Sequence, residues 1–288
     1  MRELLKLADT ELILNPDNSI YHLGIRPEHV AETVIVVGDP NRVKDVSKHF
    51  DKITFQQEKR EFVTHVGTIA NKKLTVISSG IGVDNVELLM TELDFLVNFD
   101  LKSRTEKIEK TQLSIIRIGT SGSVQESVGV DTYLLSEHAA GLDNLFDFYE
   151  LNQSESFKNI ADCFQKEVGL KSKPYLASAD EDLLNIFERE IQKGNTITCP
   201  GFYAPQGRIS NARRNNNFAK QFSSFNFDGF QFDNLEMETA GYYAFGQLFG
   251  HKMLSINAIL ANRITNKFSR NPEIQVEKLI KLTLGLLI

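Results

Sequence analysis

Residues Leu113-Ser114-Ile115-Ile116-Arg117-Ile118 form an apolar run with one arginine inside it, and the run opens into Gly119-Thr120-Ser121-Gly122-Ser123. The β-branched content and the small residues that follow predict a buried strand ended by a turn. A guanidinium in such a strand is costly unless an anion or a carboxylate pairs with it. The glycines and hydroxyls beyond it can present N–H and O–H donors, and an arginine beside such a turn is what a bound phosphate or carboxylate needs. The segment alone leaves two readings open: an anion site, or an Arg–Asp or Arg–Glu pair buried in the sheet.

A chain of 288 residues suits one large α/β domain or two small ones, with room for a sizeable core. The formal net charge of -6 argues against nucleic acid as a partner, because that would favour a basic face. It does not exclude an anionic small substrate, since local fields decide that. Cys163 and Cys199 are too few and too far apart for a disulfide framework or a zinc site, so free thiols in a reducing cytoplasm are expected. The start, Met1-Arg2-Glu3-Leu4-Leu5-Lys6, is charged and lacks a long apolar stretch. Neither a signal peptide nor a membrane span is expected, and the predicted location is the cytoplasm.

Thr33–Val37 reads as a short strand ending in Gly38-Asp39-Pro40-Asn41-Arg42, followed by a helix over Arg42–Phe50. Phe62–Ile69 and Lys73–Ser78 read as a hairpin joined at Asn71-Lys72. Ser79-Gly80-Ile81-Gly82 leads to Asp84 as an N-cap, and the next helix gathers Val86, Leu89, Met90, Leu93, Leu96 and Val97 on one face. Lys102–Lys110 is charge-dense and reads as an exposed insertion. A strand follows at Asp131–Ser136, with helices at Glu155–Val168 and Asp180–Lys193 stopped by Gly169 and Gly194. Thr196–Cys199 reads as a strand, Asn211–Gln231 as mixed and polar, Glu238–Phe249 as a helix, Met253–Ala261 as a strand and Pro272–Leu287 as a closing helix. Alternating strands and helices predict an α/β fold. Polar residues cluster at the junctions near Gly38, Gly80, Gly119 and Asn262, the carboxyl ends of strands where such sheets hold ligands.

The chain lacks a G-x-x-x-x-G-K-[ST] loop, the third glycine of a dinucleotide fingerprint after Gly80-Ile81-Gly82, an H-E-x-x-H, a G-x-S-x-G and a metal-ligand cluster. What remains is a set of separated polar patches. Gly38 to Arg42 offers a backbone donor and an arginine at a helix start, or simply a turn capped by Asp39. Arg60-Glu61 reads as a surface pair when taken alone. Gly201-Phe202-Tyr203-Ala204-Pro205-Gln206-Gly207-Arg208 combines an aromatic, an amide and a guanidinium, which can stack on a planar heterocycle and read its edge, or form an ordinary loop. Asn234-Leu235-Glu236-Met237-Glu238-Thr239 sets two carboxylates two apart at a strand-to-helix junction, where one could grip a sugar diol or cap the helix.

In this order the patches resemble the nucleoside phosphorylase family of the hexameric bacterial type, and within it the uridine phosphorylases. The resemblance runs from Tyr21-His22-Leu23-Gly24 to Asn262-Arg263 and is carried by His22, Gly38, Arg42, Arg60, Gly80-Ile81-Gly82, Arg117, Thr120, Phe202-Tyr203, Gln206-Gly207-Arg208, Glu236-Met237-Glu238 and Asn262-Arg263. Single pieces are weak, but their common order and spacing are specific, and they favour the anion reading of Arg117. The resemblance implies one domain over residues 1–288, with residues 1–20 as an N-terminal extension and a central mixed, partly barrel-like sheet flanked by helices. It implies phosphorolysis of uridine, or of other pyrimidine nucleosides, to uracil and ribose 1-phosphate, with inorganic phosphate as co-substrate and no organic cofactor.

By the same resemblance Gly38, Arg42, Arg117 and Thr120 would hold phosphate, with Arg60 reaching in from a neighbouring subunit. The neighbour's His22 would bind the ribose 5′-hydroxyl, while Glu238 and Met237 would hold the sugar. Phe202, Gln206 and Arg208 would bind uracil, with Ser121 and Gly122 on the base side; Arg117, Arg208, Gln206 and Glu238 would carry catalysis. A homodimer is then the minimal unit and a homohexamer the expected assembly. Purine members place an Asp near the end of the strand Met253–Ala261, where this chain reads Leu260-Ala261-Asn262-Arg263. Some members also bind a monovalent cation such as K+ at the subunit interface, through the Glu matching Glu61 and a Ser near the position where this chain has Asn85. Gly201 and Ala204-Pro205 depart from the commonest loop, which widens the expected base range. The alternatives are a purine or methylthio-nucleoside phosphorylase or nucleosidase on the same fold, and a non-catalytic nucleoside-binding protein. The three phosphate arginines speak against a nucleosidase, and the complete ligand set speaks against a silent binder.

Overall fold

The computed structural model describes residues 4–213 and 218–288. Strand β1 (Thr33–Val37) is buried along its whole length and lies parallel to both β4 (Lys72–Ser78) and β7 (Ser114–Ser123). Helix α1 (Pro40–Ser47) starts directly after it, with the Asp39 side chain accepting from the Asn41 N–H at 2.9 Å and proline in the first turn. This start puts Arg42 in the first turn. The helix ends three residues before the predicted Phe50, where the chain tightens into bonds from His49 N–H to Val46 and from Phe50 N–H to Ser47.

Strands β2 (Lys52–Lys59), β3 (Phe62–Ile69) and β4 form an antiparallel meander. The β3–β4 turn falls at Ala70 and Asn71, both at positive φ, as a two-residue hairpin requires. β2 carries no sequence signal, because it is an edge strand whose side chains are mostly exposed and which therefore has no apolar run. Helix α2 (Val83–Asn98) buries the predicted apolar face, but Gly82 rather than Asp84 is its N-cap. Asp84 lies inside the first turn, where a carboxylate suits the helix dipole.

The charge-dense segment is anchored rather than a free excursion. β5 (Phe99–Asp100) and β6 (Thr105–Glu106) pair, and the N-terminal segment docks on them: Leu7 N–H donates to Arg104 C=O, Glu106 N–H to Leu5 C=O, and Arg104 Nε to Leu12 C=O at 3.1 Å. Ile108 is left exposed at its tip.

Strand β8 (Tyr133–Gly141) runs five residues beyond the predicted Ser136. Helix α3 (Glu155–Val168) has its predicted bounds, with Ser154 capping it and Gly169 left-handed at φ +72°. After β9 (Tyr175–Ser178), helix α4 (Glu181–Phe187) ends well before the predicted Lys193, and Gly194 is not its stop. Gly194 lies inside β10 (Gln192–Thr198), where an added Cβ would stand 2.7 Å from Asp233 Oδ2. A close approach in a strand, not a helix end, explains that glycine. The polar stretch holds α5 (Phe218–Ser224); residues 214–217 of the segment read as mixed and polar lie outside the described residues. Then come β11 (Asn234–Glu236), α6 (Thr239–Phe249), β12 (Lys252–Asn262), β13 (Lys267–Phe268) and α7 (Pro272–Leu287).

Apart from β5 and β6, these strands form one eleven-stranded mixed sheet among the described residues. Part of it closes on itself, because β7 pairs with β12, β12 with β8, β8 with β10, β10 with β11, and β11 back with β7. The result is an open sheet running into a partial barrel, with helices outside, as the family resemblance implies. β7 is the shared strand: it pairs with β1 as far as Ile118 and with β11 only from Gly122. The sheet therefore splits at Gly119-Thr120-Ser121, beside the carboxyl end of β1, and a split of this kind makes a ligand crevice.

Gly67 in β3 has no room for a side chain, since a Cβ there would stand 2.3 Å from the Lys52 carbonyl oxygen and 2.5 Å from the Phe50 ring. Gly67→Ala is expected to destabilise the fold by about 1–3 kcal/mol, read as a lower midpoint in a denaturant titration. An unchanged midpoint would mean that the β2–β3 pair is looser than this packing.

Candidate active site

The crevice is a cavity of about 730 Å3 lined by residues from β1, α1, β7, β11, β12 and the loop after β10. At one end stand two arginines. Arg117 comes from the middle of β7 and is only 4% exposed, so water does not satisfy it. Arg42 comes from the first turn of α1 and donates a long bond, 3.4 Å, to the Ile118 carbonyl. Burial, and then the neighbouring Arg117, pull the Arg42 guanidinium below the ordinary arginine value. Arg42, held by that long bond, faces the same crevice as the carboxylate-paired Arg117, an arrangement that suits an anion. Gly38 and Thr120 line the same end. Gly119 lets Arg117 fold back along its own strand, because a Cβ there would lie 2.0 Å from Nη1.

Opposite them are the two carboxylates of the β11–α6 junction, and their work is divided. Glu236 accepts from Thr198 Oγ1 at 2.6 Å, from the N–H groups of Glu238 and Thr239 at 2.9 Å and 3.0 Å, and from Arg117 Nη2 at 3.1 Å. It caps α6. Glu238 accepts from Arg117 Nη2 at 2.6 Å and, through its other oxygen, from the Gly82 N–H at 2.8 Å. Burial pulls the Arg117 pKa down, and Glu236 and Glu238 more than reverse that. Burial pushes the Glu238 carboxyl up, against the pull of Arg117 and the Gly82 N–H. The structure shows the carboxylate pairing of Arg117, and it also places the residue on the wall of a cavity. Met237, between the two glutamates, also lines it.

The far end is the loop after β10. Arg208 donates through Nη1 to the Phe202 carbonyl at 2.7 Å and to Gln206 Oε1, and its guanidinium lies 3.6 Å over the Phe202 ring. Burial first, and then Arg263, bring the Arg208 pKa down to about 10. Gln206 is buried, and Gly207 turns the chain at φ +70°. Ser121 and Gly122 complete this end, with Leu260 and Ala261 of β12. Asn262, next along, is committed elsewhere: its Nδ2 donates to the carbonyls of Gln125 and Val128, and its Oδ1 accepts from the N–H groups of Ile264 and Thr265.

Two predicted residues are not among those lining this cavity. His22 pairs through Nδ1 with Glu92 of α2 at 2.7 Å, and Arg60 is exposed in the β2–β3 turn at φ +56°. Glu61 lines the cavity beside Gly80 and Asn85. Asn85 turns its Nδ2 to the Ile81 carbonyl at 3.2 Å. Spacing does not separate Glu236 from Glu238: Glu238 occupies the N-cap position of α6, but the hydrogen bonds show that the Glu236 side chain does the capping.

The sequence profile of the family described as the phosphorylase superfamily matches residues 32–287. The chain is similar to a uridine phosphorylase of Thermococcus kodakarensis, 26% identical over 268 residues that cover 93% of this chain and 86% of that one. It is also similar to a DeoD-type purine nucleoside phosphorylase of Listeria monocytogenes, 24% identical over 237 residues that cover 82% and 84%. A solved structure described as a Trypanosoma brucei nucleoside phosphorylase that shows uridine phosphorylase activity superposes with a TM-score of 0.87 at 25% identity, covering 96% of this chain and 99% of that one.

The division of work between the two glutamates can be measured. Glu236→Ala removes a helix cap and a partner of a buried guanidinium together, and is expected to cost roughly 3–5 kcal/mol of stability. Glu238→Gln keeps one acceptor oxygen, which can serve Arg117 or the Gly82 N–H but not both, and leaves Glu236 on Arg117, so it should cost about 1–3 kcal/mol, less than Glu236→Ala. Equal losses in denaturant titrations would refute the division.

Proposed function

The chain belongs to the phosphorylase superfamily, among its nucleoside phosphorylases, and from that premise we propose that it cleaves uridine with inorganic phosphate to give uracil and ribose 1-phosphate. The observation that carries the reading is the shape of the cavity's two ends. Arg42 and Arg117 form a cationic end, while Gln206 and Arg208 stand at the other beside apolar Leu260 and Ala261. A purine phosphorylase requires a proton donor at the base. Leu260 and Ala261 supply none, and the Asn262 amide is already spent on holding its own turn.

In this reading phosphate sits between Arg42, Arg117, Gly38 and Thr120, and Glu238 grips the ribose hydroxyls over Met237. As the C1′–N1 bond breaks, positive charge grows on the sugar and the bonding pair stays with uracil. The phosphate dianion stabilises the sugar cation and then bonds to C1′. The negative charge spreading over the uracil oxygens meets Arg208 and the Gln206 amide. Fixed donors in a water-poor cavity act strongly on such developing charge. Keeping phosphate and nucleoside side by side adds a large proximity effect. Phe202 closes the base end, with Ser121 and Gly122 along its edge.

His22 and Arg60 fit as contributions from a neighbouring subunit, which makes a homodimer the working unit and a homohexamer the proposed assembly. The proposed setting is pyrimidine salvage in the cytoplasm. Among the described residues no helix is long and apolar enough to cross a membrane.

The test follows uracil release from uridine with and without phosphate, with inosine in parallel. Phosphate-dependent cleavage of uridine but not inosine is the expected result. Cleavage of inosine sinks the pyrimidine assignment, and cleavage without phosphate sinks the phosphorylase chemistry. Shared sites have their own test in mixtures of Arg60→Ala and Arg117→Ala subunits. Some mixed dimers then hold one intact site, so partial activity should return. Subunits that demonstrably exchange yet stay inactive would show that each chain completes its own site.

A further inference from the structure

We propose that Thr196, buried in the closed ring and outside the cavity, is a positioning residue that commits the Ser121 hydroxyl to donate its hydrogen into the cavity, where it reads a carbonyl oxygen of the base. The inference deepens the nucleoside reading above and rests on it.

The interior of a small barrel is ordinarily filled by apolar side chains. Here every strand of the ring also contributes a polar one: Arg117 and Ser121 from β7, Asn257 from β12, Ser136 from β8, Thr196 from β10 and Asn234 from β11. Asn257, Ser136, Thr196 and Asn234 are 0% exposed, so bulk water satisfies none of them. They satisfy one another in a line. Arg117 Nη1 bonds Asn257 Oδ1 at 3.0 Å, and Asn257 Nδ2 bonds Ser136 Oγ at 3.2 Å. Ser136 Oγ lies 2.6 Å from Thr196 Oγ1, which lies 2.7 Å from Asn234 Oδ1, and Asn234 Nδ2 bonds Ser121 Oγ at 2.8 Å.

The direction of the line follows from its first member. A guanidinium only donates, so Asn257 must turn its oxygen to Arg117 and its NH2 to Ser136. Ser136 then accepts from Asn257. If it also accepted from Thr196, its own hydrogen would be buried with no acceptor among the described residues, at a cost that native structures avoid. Ser136 therefore donates to Thr196, Thr196 to Asn234 Oδ1, and Asn234 through Nδ2 to Ser121. Ser121 lines the cavity, and nothing among the described residues accepts its hydrogen. That hydrogen is left to point into the cavity. A charge at the head of the line and bonds of one sense strengthen each donor in turn. The reverse order, with Ser121 donating to Asn234, would present the ligand with an acceptor instead.

Thr196→Val keeps the shape and cuts the line. Asn234 can then reverse its amide and take the Ser121 hydrogen back from the cavity. We expect kcat/KM for the nucleoside to fall about five- to tenfold, the size of one lost hydrogen bond to developing charge. KM for phosphate should not change, since Arg117 keeps Asn257. Thr196→Ser should restore the rate, and adding Ser121→Ala to Thr196→Val should cost nothing more. Independent, additive losses, or a phosphate KM that rises in step with the nucleoside defect, would overturn the proposal and mark Thr196 as merely structural. The cycle is run on whichever nucleoside the wild type cleaves. A neutron structure of the unliganded protein reads the same hydrogens without any substrate: Ser121 pointing into the cavity upholds the line, and Ser121 pointing at Asn234 overturns it. A wild type silent on uridine would refute the uridine reading and leave that neutron result to decide this one.

Discussion

One guanidinium buried in the strand shared by sheet and barrel sets the terms for the rest. Arg117 lies where β7 leaves β1 and enters the closed ring, with almost no access to water. An unpaired charge there would cost several kcal/mol, so its surroundings must supply acceptors from more than one direction. They come from two places: Glu236 and Glu238 at the β11–α6 junction, and Ser255 and Asn257 inside β12, the strand paired directly with β7. The partial barrel is thus also the means of surrounding one arginine. A hydrophobic residue at this place would be the better choice for stability alone, since well-packed apolar replacements of buried ion pairs are often neutral or stabilising. The pair is explained by the cavity that Arg117 lines.

The electrostatics of that cavity are poised rather than balanced. Arg42 and Arg117 repel each other and lose hydration together, so each makes an incoming dianion more welcome to the other. Glu236 spends both oxygens on the helix start, Thr198 and Arg117, and holds the junction still. Glu238, two residues on, has among the described residues the Gly82 N–H and Arg117 to satisfy it, and so is the carboxylate with room to engage a ligand hydroxyl. Preorganisation here means that the groups with no freedom hold in place those that meet the substrate.

How much of this was legible follows from the kind of signal each part left. α3 and α7 could be bounded to the residue because a cap, a stop or a proline stood at the right place in an amphipathic pattern. The expected α4 runs too long because Ile191 falls one turn past Phe187 and Gly194 imitates a stop, whereas that glycine is a point of close packing against Asp233 and Leu134. β2 left no signal, since an edge strand exposes both faces. Arg117 stood out because a charge in an apolar run is rare, but Ser136, Thr196, Asn234 and Asn257 did not. A lone serine or asparagine in a strand is unremarkable, and only the ring closure brings residues from five strands together. The cavity's own residues were found by resemblance to a family pattern, while the division between Glu236 and Glu238 needed hydrogen bonds that no spacing encodes.

The relatives of similar identity include both a uridine and a purine phosphorylase, and the structure gives a physical reason why the frame is neutral between them. In the proposed reading everything that serves phosphate and sugar, the β1–α1 turn, Arg117 and the β11–α6 junction, lies on or beside regular elements whose packing does not involve the base. The base end is built from a short loop, Gly201–Arg208, and two apolar residues of β12. Changing a donor there alters which leaving group is stabilised without disturbing the core, because Gln206 and Arg208 hold each other and Phe202 rather than the barrel. In the proposed reading, base choice is therefore a property of that loop and of Leu260 and Ala261, whereas the arginines serve phosphate whichever base leaves.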